Sequence, residues 1–279
     1  MSSIRRYPGL SPVGAQRIRN TRRDETLEQV IEETPIAMVY NGVPYAVMMA
    51  TPCDLEDFAL GFALAEGIVA RMEEFELVDC LRSEHGVSLQ ALIPHARFEA
   101  LEVRKRNLAG RSGCGLCGVE SLMEAVRPVP RVQSGISIES LSIESALIAH
   151  GLRELAQRQP LNERSGGVHA AGYAHADGIM VREDVGRHNA LDKLIGTLAR
   201  GADPSASAAW RTQAGFLAIT SRASYEIVHK AATAGIAVVA AISAPTSLAI
   251  ELADEAGVTL IAFARGDAMN VYTHPRRLV

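Results

Sequence analysis

The chain has 279 residues, 48% of them hydrophobic, with a formal net charge of -4. That length buries one large core or two modest ones, and two lobes are expected. The mild acidic excess argues against a protein that coats nucleic acid, and no apolar run reaches the roughly 18 residues of a membrane-spanning helix. The 4 cysteines form no disulfide-like framework and no cleavable apolar leader is evident, so a reduced, cytoplasmic protein is expected.

Residues 1–26 read as a basic flexible arm carrying Arg5, Arg6, Arg17, Arg19, Arg22 and Arg23. An α+β lobe is expected over 27–136. It opens on a hairpin of 36–40 and 43–49 around Asn41-Gly42, because Asn-Gly supplies the two positive φ angles of a tight hairpin turn. A helix then runs to about Glu66, with Thr51 as N-cap, Pro52 at the first helical position and Asp54 complementing the helix dipole. Phe58, Leu60, Phe62, Ala63 and Leu64 are its core candidates, and Cys53 is a small packed residue. Alternating stretches near 75–81, 87–93 and 96–104 read as strands, with Cys80 half-buried on the first.

Cys114-Gly115-Leu116-Cys117 lies in a glycine-rich loop over 109–118. Two thiols at this spacing serve thiol-disulfide exchange, metal ligation or carriage of sulfur as a persulfide. Arg104, Lys105, Arg106 and Arg111 precede the pair and an apolar-spaced helix follows it, a setting that favours thiolate. A closed zinc site needs a second ligand pair, and Cys53 and Cys80 lack that spacing. A thioredoxin-type pair follows the first strand of a βαβ unit, whereas this one follows a long β-rich segment.

From 137 to 279 the pattern becomes an α/β lobe. A helix over 144–157 precedes strands at 168–174 and 179–183, a helix over 189–198 and a polar linker at 202–208. Strands at 215–219, 236–242 and 258–263 then alternate with helices at 224–234 and 245–256, which predicts parallel strands. Ligands of such sheets sit beyond the carboxyl ends of the strands. Three loops fall there: Thr220-Ser221-Arg222, Ser243-Ala244-Pro245-Thr246, and Phe263-Ala264-Arg265-Gly266-Asp267-Ala268. Ser221 with Arg222, and Arg265 with Gly266, suit a phosphate; Asp267 suits a base or sugar donor. Taken singly, each loop is equally an ordinary helix cap or charged turn. Residues 184–193 crowd Asp184, Arg187, His188, Asn189, Asp192 and Lys193 around a helix start, as a solvated face or a pocket wall. The glycines before His169 point to a close approach to the backbone there.

The blocks Cys-Gly-Leu-Cys-Gly at 114–118, Gly-Gly-Val-His-Ala-Ala at 166–171, Glu-Asp-Val-Gly-Arg-His-Asn-Ala-Leu-Asp-Lys at 183–193, Thr-Ser-Arg-Ala-Ser-Tyr-Glu at 220–226, Ser-Ala-Pro-Thr-Ser-Leu-Ala at 243–249 and Phe-Ala-Arg-Gly-Asp-Ala-Met-Asn-Val-Tyr at 263–272 closely resemble the FdhD family. These are sulfur carriers needed to make active formate dehydrogenase. The resemblance implies that a cysteine desulfurase loads the Cys-x-x-Cys loop. The sulfur then passes to a molybdenum or tungsten cofactor in its bis-guanine dinucleotide form, which enters the formate dehydrogenase catalytic subunit. It matches Cys114 to the persulfide carrier, Cys117 to a helper or relay, and Phe263, Ala264, Arg265, Gly266, Asp267 and Ala268 to the cofactor segment. It also implies a cytidine deaminase-like second lobe and a homodimer, without a structural metal. Two rivals are a cofactor-holding chaperone without sulfur chemistry and a zinc-dependent deaminase-like hydrolase. The deaminase signature of His-x-Glu with Pro-Cys-x-x-Cys is broken here, because Ala171 stands where the Glu belongs and Gly113 where the Pro belongs.

Overall fold

A computed structural model describes residues 7–109, 128–132, 141–201 and 214–279. It is a mixed α/β protein whose described strands form a two-stranded, a four-stranded and a six-stranded sheet. Strands β1 (Leu10–Arg19) and β2 (Arg22–Ile31) make an antiparallel hairpin where the sequence predicts an arm. Its basic residues are partly answered in place, Arg17 by Glu28 and Arg22 by Asp24. The pattern is hard to read because neither face is buried along its length: Val13, Ile18, Leu27 and Val30 are all exposed, and only Leu10 at the base is fully covered.

Strands β3 (Thr34–Tyr40) and β4 (Val43–Ala50) turn at Asn41 (φ 50) and Gly42 (φ 81) as the Asn-Gly pair requires. With β5 (Glu76–Ser83) and β6 (Gly86–Leu92) they form the four-stranded sheet, in the order β4-β3-β6-β5. The expected third alternating stretch, 96–104, is instead helix α2 (His95–Ala109). Pro94 pre-sets its start, accepting from the amides of Arg97 and Phe98, and Leu101 is buried three residues after the half-buried Phe98. Helix α1 (Leu55–Ala65) begins later than predicted. Its N-cap is Asp54 at φ 51, and Thr51 is drawn away from capping because its hydroxyl accepts from the Val185 amide at 3.1 Å.

Helix α1 is apolar from Phe58 to Ala65, and every residue from Leu55 to Ala65 except Glu56 is buried, as befits a central helix. Phe58 and Phe62 pack edge-on to each other, and Tyr45 and Tyr40 extend that cluster into the four-stranded sheet. The opposite side of α1 meets α5 (Arg187–Arg200) at backbone contact distance. A Cβ on Gly61 would lie 1.7 Å from the Asp192 carbonyl oxygen, and one on Gly196 would lie 1.9 Å from that of Asp57. Only glycine fits at this crossing.

Helix α5 in turn packs on the six-stranded sheet, built from β7 (His169–His175), β8 (Gly178–Asp184), β9 (Gly215–Ile219), β10 (Val238–Ala241), β11 (Thr259–Arg265) and β12 (Ala268–Val271). The order is β12-β11-β10-β9-β7-β8, with β9, β10 and β11 parallel as predicted. Helices α6 (Tyr225–Ala234) and α7 (Ser247–Ala256) make the crossovers. Helix α3 (Ser145–Gln157) also packs on the sheet, closely enough that a Cβ on Gly151 would lie 2.7 Å from Phe216 and from Ala174. The short α4 (Pro160–Ser165) and strand β12 are elements the sequence pattern does not announce. Gly166 closes α4 at φ 65, and a Cβ on Gly167 would press on Ile31 at 3.3 Å. What approaches the backbone before His169 is therefore the base of the β1–β2 hairpin.

Candidate functional site

Because β7 runs against β9, the start of β7 and the end of β8 lie at the same sheet edge as the carboxyl ends of β9, β10 and β11. The three loops singled out from sequence are laced together there. Ala223 and Pro245 form an isolated bridge, with Ala223 donating to the Ala244 carbonyl at 3.1 Å and Thr246 to the Ala223 carbonyl at 3.0 Å. The Phe263 amide donates to the Ser243 carbonyl at 3.1 Å. Thr220 ties the cluster to β7, its hydroxyl accepting from the Ala170 amide at 2.9 Å. One continuous rim thus runs from His169 through Ser221 and Ser243 to Phe263.

The loops differ in what they leave available. Thr246 is spent as a helix cap, since its side chain accepts from the Ala249 amide. Ser221 is buried while Arg222 is exposed, with no described hydrogen bond to its guanidinium. Ser224, the N-cap of α6, has a buried hydroxyl without a partner among the described residues. An orphan of this kind costs about 1–3 kcal/mol unless something answers it.

Phe263 interrupts β11 at a register shift, with φ 52, and remains 45% exposed. A bulky side chain in the left-handed region is strained by about 1–3 kcal/mol, and such strain gathers where a ligand is clamped. Arg265 donates from Nε to the Ile242 carbonyl at 3.2 Å, which seats its planar head across the end of β10. Gly266 (φ 59) turns the chain, Ala264 is buried, and the exposed Asp267 reaches Arg153 at 3.3 Å. Phe263, Arg265, Gly266 and Asp267 therefore share the rim with Ser221 and Arg222. Ala264 supplies packing beneath it, and Ala268 opens β12.

Residues 184–193 divide into two groups. Asp184, Asn189 and Lys193 point inward. The Asp184 carboxylate accepts from the amides of Thr51 (3.0 Å) and Gly186 (2.8 Å) and from Asn189 Nδ2 (3.0 Å), and pairs with Lys193 Nζ at 2.7 Å, both side chains wholly buried. Lys193 also donates to the Thr51 carbonyl at 2.9 Å. Asp192 pairs with Lys230 at 2.8 Å, and Lys230 reaches Glu66 at 2.9 Å. Burial pushes the Asp192 carboxyl up to about 6 although Lys230 opposes it. These groups pin α5 to the turn before α1 and to α6.

Arg187 and His188 face the rim instead. His188 Nε2 lies 2.7 Å from Glu226 Oε2 and 3.2 Å from Arg187 Nε. The hydrogen bond from His188 holds the Glu226 carboxyl below the ordinary range. Desolvation, then Arg187 and His188, depress His169 below the usual histidine value. Glu226 escapes the sequence reading, because nothing in its spacing ties it to His188.

Cys53 is half-buried, its thiol pushed up to about 11 chiefly by burial, with Lys193 Nζ 3.8 Å from its sulfur. At neutral pH it is a thiol and a poor nucleophile. Cys53 and Cys80 both line a cleft of about 600 Å³ along α1 and β5, away from the rim loops. Among the described residues no group of three or more His, Cys, Asp or Glu side chains is placed to hold a metal ion. None of their helices is long and apolar enough to cross a membrane. Cys114 and Cys117 lie outside the described residues.

Fold and rim together define a mixed α/β protein that presents laced strand-end loops, a strained aromatic and the exposed cation of Arg222 on one edge of an open sheet. The chain belongs to the FdhD/NarQ family, whose model matches residues 31–279. Sulfur carrier protein FdhD of Xanthomonas axonopodis pv. citri is 50% identical over 273 residues, covering 97% of this chain and 93% of the relative. The protein of the same name from Variovorax paradoxus is 45% identical over 263 residues, covering 94% and 90%. A crystal structure from Desulfotalea psychrophila, described there as a formate dehydrogenase accessory protein on the strength of inference, matches with a TM-score of 0.70 at 25% identity, covering 98% of this chain and 100% of that one.

Proposed function

We propose that this chain is a sulfur carrier that supports formate dehydrogenase. The reading rests on a family match that runs through Cys114 and Cys117 and through every loop of the rim. Cys114 is the carrier: its thiolate attacks the outer sulfur of a cysteine desulfurase persulfide, the donor's S–S bond breaks, and the donor departs as thiolate. No net redox change occurs, and Cys117 assists or relays.

The acceptor is a molybdenum cofactor in bis-guanine dinucleotide form, bound as substrate at the rim. Phe263 offers a face to a base, Arg222 and Arg265 offer cations to phosphate, Asp267 offers a carboxylate to a base or sugar, and the Ser224 hydroxyl awaits a partner. In this reading residues 27–136 bring the carrier loop and residues 137–279, a cytidine deaminase-like lobe, hold the cofactor. The protein acts in the cytoplasm as a homodimer and hands the cofactor to the formate dehydrogenase catalytic subunit.

Intact mass after incubation with cysteine and a cysteine desulfurase tests the chemistry. One added sulfur atom, removable by reductant and missing in Cys114→Ala, is the expected result. An unchanged mass, or stoichiometric zinc lost with Cys114→Ala, would sink the carrier reading. A chaperone without sulfur chemistry would leave Cys114→Ala able to support formate dehydrogenase.

A further inference from the structure

The 184–193 segment keeps two side chains out of its inward network, and their geometry contains a conflict. His188 Nε2 is within hydrogen-bond distance of both Arg187 Nε and Glu226 Oε2, at 3.2 and 2.7 Å. The first contact needs a lone pair on that nitrogen and the second needs a proton, so the two bonds exclude each other. We propose that His188 is the positioning residue for Arg187: its proton decides whether that guanidinium is held inside the protein or released to the diphosphate of a nucleotide at the rim.

The inference rests on the nucleotide-cofactor reading and deepens it by assigning the diphosphate to Arg187. Among the described residues, the one hydrogen bond made by the Arg187 side chain is to His188, which leaves its two terminal nitrogens for a ligand. A guanidinium offers a planar fork that matches two phosphate oxygens. Proton placement is set by charges from three elements packed around the imidazole. Arg187 and Asp192 flank it on α5, His169 faces it from β7, and Glu226 comes from α6 with Lys230 behind it. Lys230 already occupies Asp192, so Glu226 is the carboxylate that accepts the hydrogen bond from protonated His188. With the proton on Nδ1 alone, Nε2 accepts from Arg187. With Nε2 protonated, Glu226 takes that hydrogen and Arg187 is free to turn outward. A diphosphate arriving beside the pair favours the imidazolium, so binding takes up a proton.

Calorimetric titration of the full chain with guanosine diphosphate and with guanosine, at pH 6.5 and 8 in two buffers of different ionisation enthalpy, tests this. The wild type is expected to bind guanosine diphosphate several-fold more weakly at pH 8 than at pH 6.5, and to take up a proton at His188. His188→Asn and Glu226→Gln should each lose that uptake, leaving only what the phosphate itself contributes. Arg187→Gln should weaken guanosine diphosphate at both pH values and leave guanosine unchanged. Identical pH dependence in wild type and both His188→Asn and Glu226→Gln, or unchanged affinity in Arg187→Gln, overturns the inference while leaving the rim as a nucleotide site. Failure of the wild type to bind either compound overturns the nucleotide reading and this inference with it.

Discussion

The inward network of Asp184, Asn189 and Lys193 and the rim at the carboxyl ends of β9, β10 and β11 lie at one end of the same sheet, yet they are built on opposite terms. Inside, two full charges are wholly buried and each is met by its counterion and by backbone partners. At the rim, a phenylalanine is held at positive φ, a serine hydroxyl has no partner among the described residues and Arg222 stands exposed to solvent. Satisfied polar groups make a rigid support. Unsatisfied ones spend stability on readiness for something outside the chain.

Breaking the inward network should cost most. Lys193→Met leaves Asp184 charged and buried, and is expected to lower unfolding free energy by about 3–5 kcal/mol in chemical denaturation, with much of the loss recovered in the Asp184→Asn, Lys193→Met double variant. Gly196→Ala pushes a methyl group into the Asp57 carbonyl and should cost about 1–3 kcal/mol by the same measurement, so the helix crossing ranks next. Phe263→Gly should have the opposite sign: relief of the positive φ raises stability by up to about 1 kcal/mol while affinity for guanosine diphosphate falls. A loss of stability in that variant would show that Phe263 belongs with the packed interior and erase the contrast.

The smallest effect is expected at His169. Its folded-state affinity for protons is depressed, mainly by desolvation, so the unfolded chain binds the proton first as pH falls. Stability is therefore lost on acidification below about 6.5, the ordinary histidine value. Thermal unfolding at pH 7 and pH 5 should show a smaller drop in His169→Gln than in the wild type.

The parallel β9–β10–β11 core was legible because its strands are continuous apolar runs bounded by hydroxyl-bearing helix starts, and the β3–β4 turn because Asn41-Gly42 has few other uses. The β1–β2 hairpin was not, since exposed apolar residues on both faces erase the alternation that marks a half-buried strand. Stretch 96–104 looked alternating only while its apolar residues were counted without the helical spacing that Phe98 and Leu101 also satisfy. At the site, loop positions followed from topology. The division of residues 184–193 did not, because a charge run reveals its partners only when α1, β8 and α6 are brought together around it.

The bare-backbone crossing of Gly61 and Gly196 makes the molecule hard to divide. Helix α1 gives one flank to the four-stranded sheet and the other to α5, which carries the six-stranded sheet behind it. Expressed as separate fragments, each half would present to water a glycine-notched helix flank shaped for the other, and the two pieces would be recovered as aggregates or as a reassembled pair.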